Sequence, residues 1–125
     1  MAEEHFPGPV TFNEDDPLNG YVTLGLPVPE LKVNRFSFGS KTAKNADFTK
    51  DFRTRYVSLK ITVDVDGTEK VYAYRRRTNE DLTPDKTRWE VSKGMVKLHI
   101  CKGNKVSWSE DRQRYLRVEN EEPLS

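Results

Sequence analysis

The chain has 125 residues, of which 34% are hydrophobic and 33% charged; this suits one soluble domain with a single modest core. No apolar run approaches the roughly 20 residues that a membrane-spanning helix needs, and the N-terminus lacks a basic start followed by an apolar stretch, so neither a membrane segment nor a secretory leader is expected. Cys101 is the only cysteine, which excludes an intrachain disulfide; with no Asn-x-Ser/Thr acceptor, the composition fits a reducing compartment, cytoplasmic or nuclear.

Met1–Pro9 holds two prolines and a glycine without periodicity and is expected to be a flexible arm. Val10–Phe12 has the character of a short edge strand, followed by an acidic turn over Asn13–Asn19 closed by Pro17. Val22, Leu24, Leu26 and Val28 then alternate with Tyr21, Thr23, Gly25 and Pro27. A period of two buries one face and wets the other, which is the mark of a strand. Pro27 and Pro29 end it, and Phe36 and Phe38 continue the alternation in Lys32–Phe38. Gly39–Thr54 is polar and reads as a long loop, in which Phe48 and Phe52, at i and i+4, allow one helical turn.

Val57, Leu59, Ile61, Val63 and Val65 alternate strictly with polar or aromatic residues, and Asp66-Gly67 after them is a type I′ hairpin signal. Glu69–Arg76 pairs back, with Val71 and Ala73 on one face and Tyr72 and Tyr74 on the other. Thr78–Thr87 is a loop. Trp89 and Val91 begin the next strand, with Trp89 expected to be structural, and Lys93-Gly94 turns the chain. Val96, Leu98 and Ile100 alternate with Lys97, His99 and Cys101. Gly103-Asn104 is another turn, and Val106–Trp108 a last short strand. The sum is an all-β antiparallel sandwich of seven to eight strands over residues 10–116, with a charged tail over 117–125. Parallel crossovers are not expected, since helices are nearly absent.

The net charge of +1 hides a segregation. Residues 1–31 carry six acids and no Lys or Arg, residues 32–107 carry 18 basic and nine acidic residues, and residues 108–125 carry three basic and five acidic ones. The basic middle faces either an acidic partner or the chain's own acidic ends.

Catalytic chemistry finds little material. The two histidines, His5 and His99, lie far apart in sequence, and no Gly-rich phosphate cradle exists. His99 and Cys101 share a strand face, yet supply only two of the four ligands of a structural zinc site, so no metal and no cofactor is expected. Lys97 and Lys102 flank Cys101 and would favour its thiolate. Arg75-Arg76-Arg77, with Tyr72 and Tyr74 before it, has the residue types of a single-stranded nucleic-acid platform. The same residues also suit a wet strand face with arginine stems lying over tyrosine rings.

Gly94–Trp108 resembles the closing segment of CS domains, which occur in small co-chaperones of heat-shock protein 90 and in NudC-like proteins. The shared features are a turn glycine (Gly94), an alternating strand (Val96-Leu98-Ile100), a basic residue with a short loop (Lys102-Gly103) and a terminal Ser107-Trp108. Trp89-Glu90-Val91 is similar to the tryptophan-led strand of NudC-like members, and Val10–Phe38 to the family's first three strands. The resemblance implies a CS or alpha-crystallin-like sandwich without a catalytic centre. It also implies a partner, heat-shock protein 90 or another chaperone or client protein, and contacts at Lys97, His99, Cys101, Lys102, Trp108 and Arg112. Trp108 stands open between an interface anchor and a core residue. Ser109-Glu110-Asp111 replaces the Pro-Arg-Leu-type continuation of the co-chaperones and the acidic tail is short, which directs the expectation toward the adaptor branch. A nucleic-acid-binding domain and a structural assembly subunit are the alternatives, and no membrane association is expected.

Overall fold

The computed structural model describes residues 3–16, 19–33 and 42–124. They form an all-β sandwich of eight strands in two four-stranded sheets. The first sheet has the order β1 (Glu4–His5), β6 (Thr68–Arg77), β5 (Tyr56–Val65), β4 (Ala46–Arg53). The second has the order β2 (Thr11–Asp16), β3 (Asn19–Pro27), β8 (Met95–Cys101), β7 (Arg88–Ser92). A five-residue helix, α1 (Arg112–Leu116), follows a short 3-10 turn at Ser109–Asp111. Among the described residues no helix is long and apolar enough to cross a membrane.

The alternating sequences explain the core. Val57, Leu59, Ile61 and Val63 of β5 face Val22, Leu24 and Leu26 of β3 and Val96, Leu98 and Ile100 of β8, and all are fully buried. At roughly 1.5–3 kcal/mol for each large apolar side chain, this layer is the main driving force for closing the sandwich. Asp66 and Gly67 both take positive φ, 54° and 86°, the type I′ geometry that the Asp-Gly pair favours in a two-residue hairpin.

Several elements depart from the sequence pattern. Ala46–Arg53, expected as loop, is a full strand paired with β5 from Ala46↔Val63 to Arg53↔Tyr56. Its charged alternate positions hid it, because an edge strand needs apolar residues only where it meets the other sheet. Phe48 and Phe52 therefore share a strand face rather than a helical turn. Both rings pack on Trp89, at 5.8 Å stacked and 6.3 Å edge-on, and so tie the β4 and β7 edges of the two sheets together. The acidic stretch after Phe12 is not a turn but the continuation of β2 to Asp16, with a register shift between Glu14 and Asp16. Val106–Trp108 is not a strand, and Trp108 leads into the 3-10 turn before α1. The N-terminal residues expected as an arm include β1, which pairs with β6 in parallel (Glu4↔Val71, His5↔Tyr72). Phe36, Phe38 and Pro17 lie outside the described residues.

Candidate functional site

The outer face of the second sheet is assembled by strand parity. Cross-strand pairs Tyr21↔Cys101, Thr23↔His99 and Arg88↔His99 set these side chains beside one another, with Gly25↔Lys97 and Glu90↔Lys97 continuing the patch. Lys97 and Arg88 are exposed, while Tyr21, Thr23, Glu90, His99 and Cys101 are half-buried. The Arg88 guanidinium lies 4.8 Å from the centre of the Tyr21 ring, and His99 meets the same ring edge-on at 6.4 Å. Three residues singled out in the sequence, Lys97, His99 and Cys101, thus share one face with an aromatic and an arginine, the residue types that anchor protein interfaces.

His99 is hydrogen-bonded at one ring nitrogen and faces a carboxylate with the other. Its Nδ1 is 2.9 Å from the Thr23 hydroxyl, and its Nε2 lies 3.6 Å from Glu90 Oε1. Burial pushes its pKa below the ordinary value; Glu90 opposes this, and the Arg88 and Lys97 charges reinforce it. The hydroxyl–imidazole–carboxylate line has the residue types of a nucleophile, base and orienting acid, but no hydrogen bond joins the imidazole to the carboxylate. It also lies along a sheet face, and neither described cavity is lined by any of its three residues. The Cys101 thiol points to the Lys102 carbonyl at 3.8 Å. Among the described residues no group of three His, Cys, Asp or Glu converges as a metal site would require.

Lys102 and Trp108, expected as contacts, are interior. Lys102 shares the parity of Ile100, so its side chain enters the sandwich, where only 1% of it is exposed. Its ammonium meets Glu14 at 3.0 Å, and Glu14 in turn is core-facing because it shares the parity of Phe12 on β2. Glu14 Oε2 also accepts the Trp108 backbone N–H at 2.9 Å, while Oε1 accepts the Ser107 and Ser109 hydroxyls, both at 2.9 Å. Burial raises the Glu14 pKa. The Trp108 N–H, the Lys102 ammonium and the two serine hydroxyls outweigh it and hold the carboxyl below its ordinary range. The Trp108 ring is fully buried and stacks on Tyr115 at 5.6 Å, and Tyr115 stacks on Phe12 at 5.8 Å. Glycine is required at 103 because the Asp81 carbonyl oxygen lies 2.9 Å from where a Cβ would stand. The whole Lys102–Ser109 stretch is thereby a clamp that closes one end of the sandwich. Arg112, beyond it on α1, is exposed.

The arginine cluster is engaged by the chain itself. Tyr72 and Tyr74 turn into the core, not outward, because Tyr72 pairs with Ile61 and Tyr74 with Leu59 on the inner face. The Tyr72 hydroxyl donates to Glu30 at 2.5 Å and that of Tyr74 to the Tyr115 carbonyl at 2.7 Å. Arg75 grips Glu4 with two bonds of 2.7 and 2.8 Å. Arg76 is fully buried over the Tyr74 ring and donates to the Arg117 carbonyl at 2.6 Å. Arg77 donates to the Glu122 carbonyl at 2.6 Å. Stacking a base on Tyr72 or Tyr74 would require opening the core.

Sequence reasoning missed Glu14, the hub of the clamp, and Tyr21 and Arg88 on the outer face. Parity of Glu14 with Phe12 was the available signal for the first. No family model matches the chain, and no curated protein matches it.

Proposed function

We propose that this chain is a protein-binding adaptor of the CS type that engages heat-shock protein 90, or a client of such a chaperone, through the outer face of the β2-β3-β8-β7 sheet. The observation that carries the proposal is the continuous patch of Tyr21, Arg88, Lys97 and His99, an aromatic–arginine centre with a charged rim. The buried Glu14–Lys102–Trp108 clamp supports it in another way, since it gives the CS-like Lys102…Ser107-Trp108 residues a structural role and leaves recognition to the sheet face. The adaptor has no reaction to perform. It binds one conformation of its partner better than another and raises that conformation's population by the difference in affinity. A cytoplasmic or nuclear setting accompanies this proposal.

A nucleic-acid platform through Tyr72, Tyr74 and Arg75–Arg77 has less support, because the rings are interior and the guanidinium groups already hold Glu4 and the Arg117 and Glu122 carbonyls. Calorimetry with heat-shock protein 90, with and without a non-hydrolysable ATP analogue, tests the proposal. Binding is expected to depend on nucleotide and to weaken at least tenfold in the Arg88→Glu/Lys97→Glu variant. Absence of binding heat in both nucleotide states would refute the chaperone assignment.

A further inference from the structure

Strand β6 is bounded on one side by β5 and on the other by two separate stretches of the same chain laid end to end. Glu4-His5 covers Val71-Tyr72 as strand β1. Asn120–Glu122 then covers Ala73–Arg77, but it does so largely with side chains. The Asn120 amide donates from Nδ2 to the Ala73 carbonyl at 3.0 Å and accepts the Arg75 N–H on Oδ1 at 2.8 Å. One side-chain amide thus satisfies the edge carbonyl and edge N–H that the peptide groups of a neighbouring strand would satisfy. The Glu121 backbone N–H donates to the Arg75 carbonyl at 3.0 Å, and its carboxylate accepts the Arg77 N–H at 3.3 Å. The edge is therefore strand-competent along Val71–Arg77 and is closed by a strand imitation.

The electrostatics of this edge select its occupant. Arg76 has no exposed side-chain surface. Its nearest carboxylate is that of Glu121 at 3.7 Å, which Arg114 also holds at 3.0 Å. If the 120–122 stretch leaves, a buried guanidinium loses its counter-charge, a costly state unless the incoming group restores it. The edge also ends at a groove of about 550 Å3 whose lining includes Arg53, Arg55, Tyr56, Arg77, Arg114 and Leu124. Its charged lining residues are arginines alone.

We infer that the β6 edge is a second docking site, distinct from the β3–β8 face, for an extended acidic segment of a partner protein. That segment adds as a strand along Ala73–Arg77 and places carboxylates where Glu121 and Glu122 now lie. The chain's own Asn120–Leu124 acts as a built-in competitor that the partner displaces. Strand addition supplies affinity through main-chain bonds, and the arginines restrict it to acidic sequences. The inference is independent of the chaperone assignment, which concerns the other sheet.

The test uses the full chain and a fluorescein-labelled peptide with the sequence of residues 117–125. Asn120→Ala/Glu121→Ala weakens the competitor and is expected to bind the peptide at least tenfold more tightly than the unaltered chain. A peptide with its three glutamates changed to glutamine is expected to bind at least tenfold more weakly to the same variant. Equal binding by variant and unaltered chain, or equal binding of the two peptides, would overturn the inference. Peptide-free dimerisation of the variant at the same concentrations, seen by sedimentation, would overturn it in favour of self-assembly through this edge. Should the variant not fold, the unaltered chain at millimolar peptide still decides. The backbone and side-chain amide resonances of Asn120 and Glu121 in the labelled chain are expected to move toward free-chain positions as unlabelled peptide displaces them, and resonances that stay in place would contradict it.

Discussion

The Glu14 carboxylate accepts the backbone N–H of Trp108 at 2.9 Å across 94 positions of sequence. Through this bond and the Lys102 ion pair, one acid at a core-facing position of β2 fixes the path of the chain after the last strand. Trp108 is thereby held in the interior, where its ring stacks on Tyr115. Burying a carboxylate is expensive, and this one is tolerated because four donors surround it.

Glu14→Gln is expected to destabilise the fold by about 3 kcal/mol, since it removes the counter-charge of a buried ammonium. Urea unfolding measures this, and Glu14→Gln/Lys102→Met is expected to recover part of the loss. The sign with pH follows from the lowered Glu14 pKa. The contribution is fully present above the unfolded carboxyl value of 4.5 and is lost as pH falls through the lower folded value. The Gln variant is expected to show a shallower acid limb.

Trp108→Ala is expected to cost about 3–5 kcal/mol of stability, the usual range for a buried large aromatic. The folded fraction is expected to bind partner with unchanged affinity, because the ring is interior. Partner titrations at a temperature where the variant is folded check this. A loss of affinity greater than the loss of folded population would make Trp108 an anchor.

Gly103→Ala is expected to destabilise by about 1–3 kcal/mol, because the added methyl meets the backbone of Asp81 rather than a movable side chain. Thermal unfolding reads this directly, and the Gly103 N–H bond to the Asp81 carbonyl, now 2.8 Å, is expected to be the first contact weakened.

His99 is expected to titrate by NMR below the ordinary value of 6.5, since burial disfavours the imidazolium. The unfolded chain then takes up its proton first. The His99 contribution to stability is therefore complete above 6.5 and falls as pH drops toward the folded pKa. His99→Gln is expected to flatten that part of the profile, and Glu90→Gln to lower the His99 midpoint further.

Alternation made most of this fold legible. The apolar residues of Val57–Val63 and Val96–Ile100 are buried on the two sides of the interlayer, so their period of two is uninterrupted. It failed where polar residues hold inward positions. Glu14 and Lys102 look like surface charges until their parity with Phe12 and Ile100 is followed, and Arg76 looks like one of three exposed arginines until its register opposite Val57 is known. Strand β4 was hidden because its alternate positions face solvent at a sheet edge. Lys97, His99 and Cys101 were legible as one outer face from spacing alone. Tyr21 and Arg88, their neighbours on β3 and β7, depend on strand order, which local sequence does not encode.

The most direct test of the adaptor proposal is an NMR titration of the isotopically labelled chain with heat-shock protein 90, with and without a non-hydrolysable ATP analogue. Nucleotide-dependent broadening is expected to concentrate at Tyr21, Thr23, Arg88, Lys97 and His99, with Trp108 and Lys102 little changed. Spectra unmoved in both states, or changes confined to Arg75–Arg77 and Asn120–Leu124, would contradict the proposal.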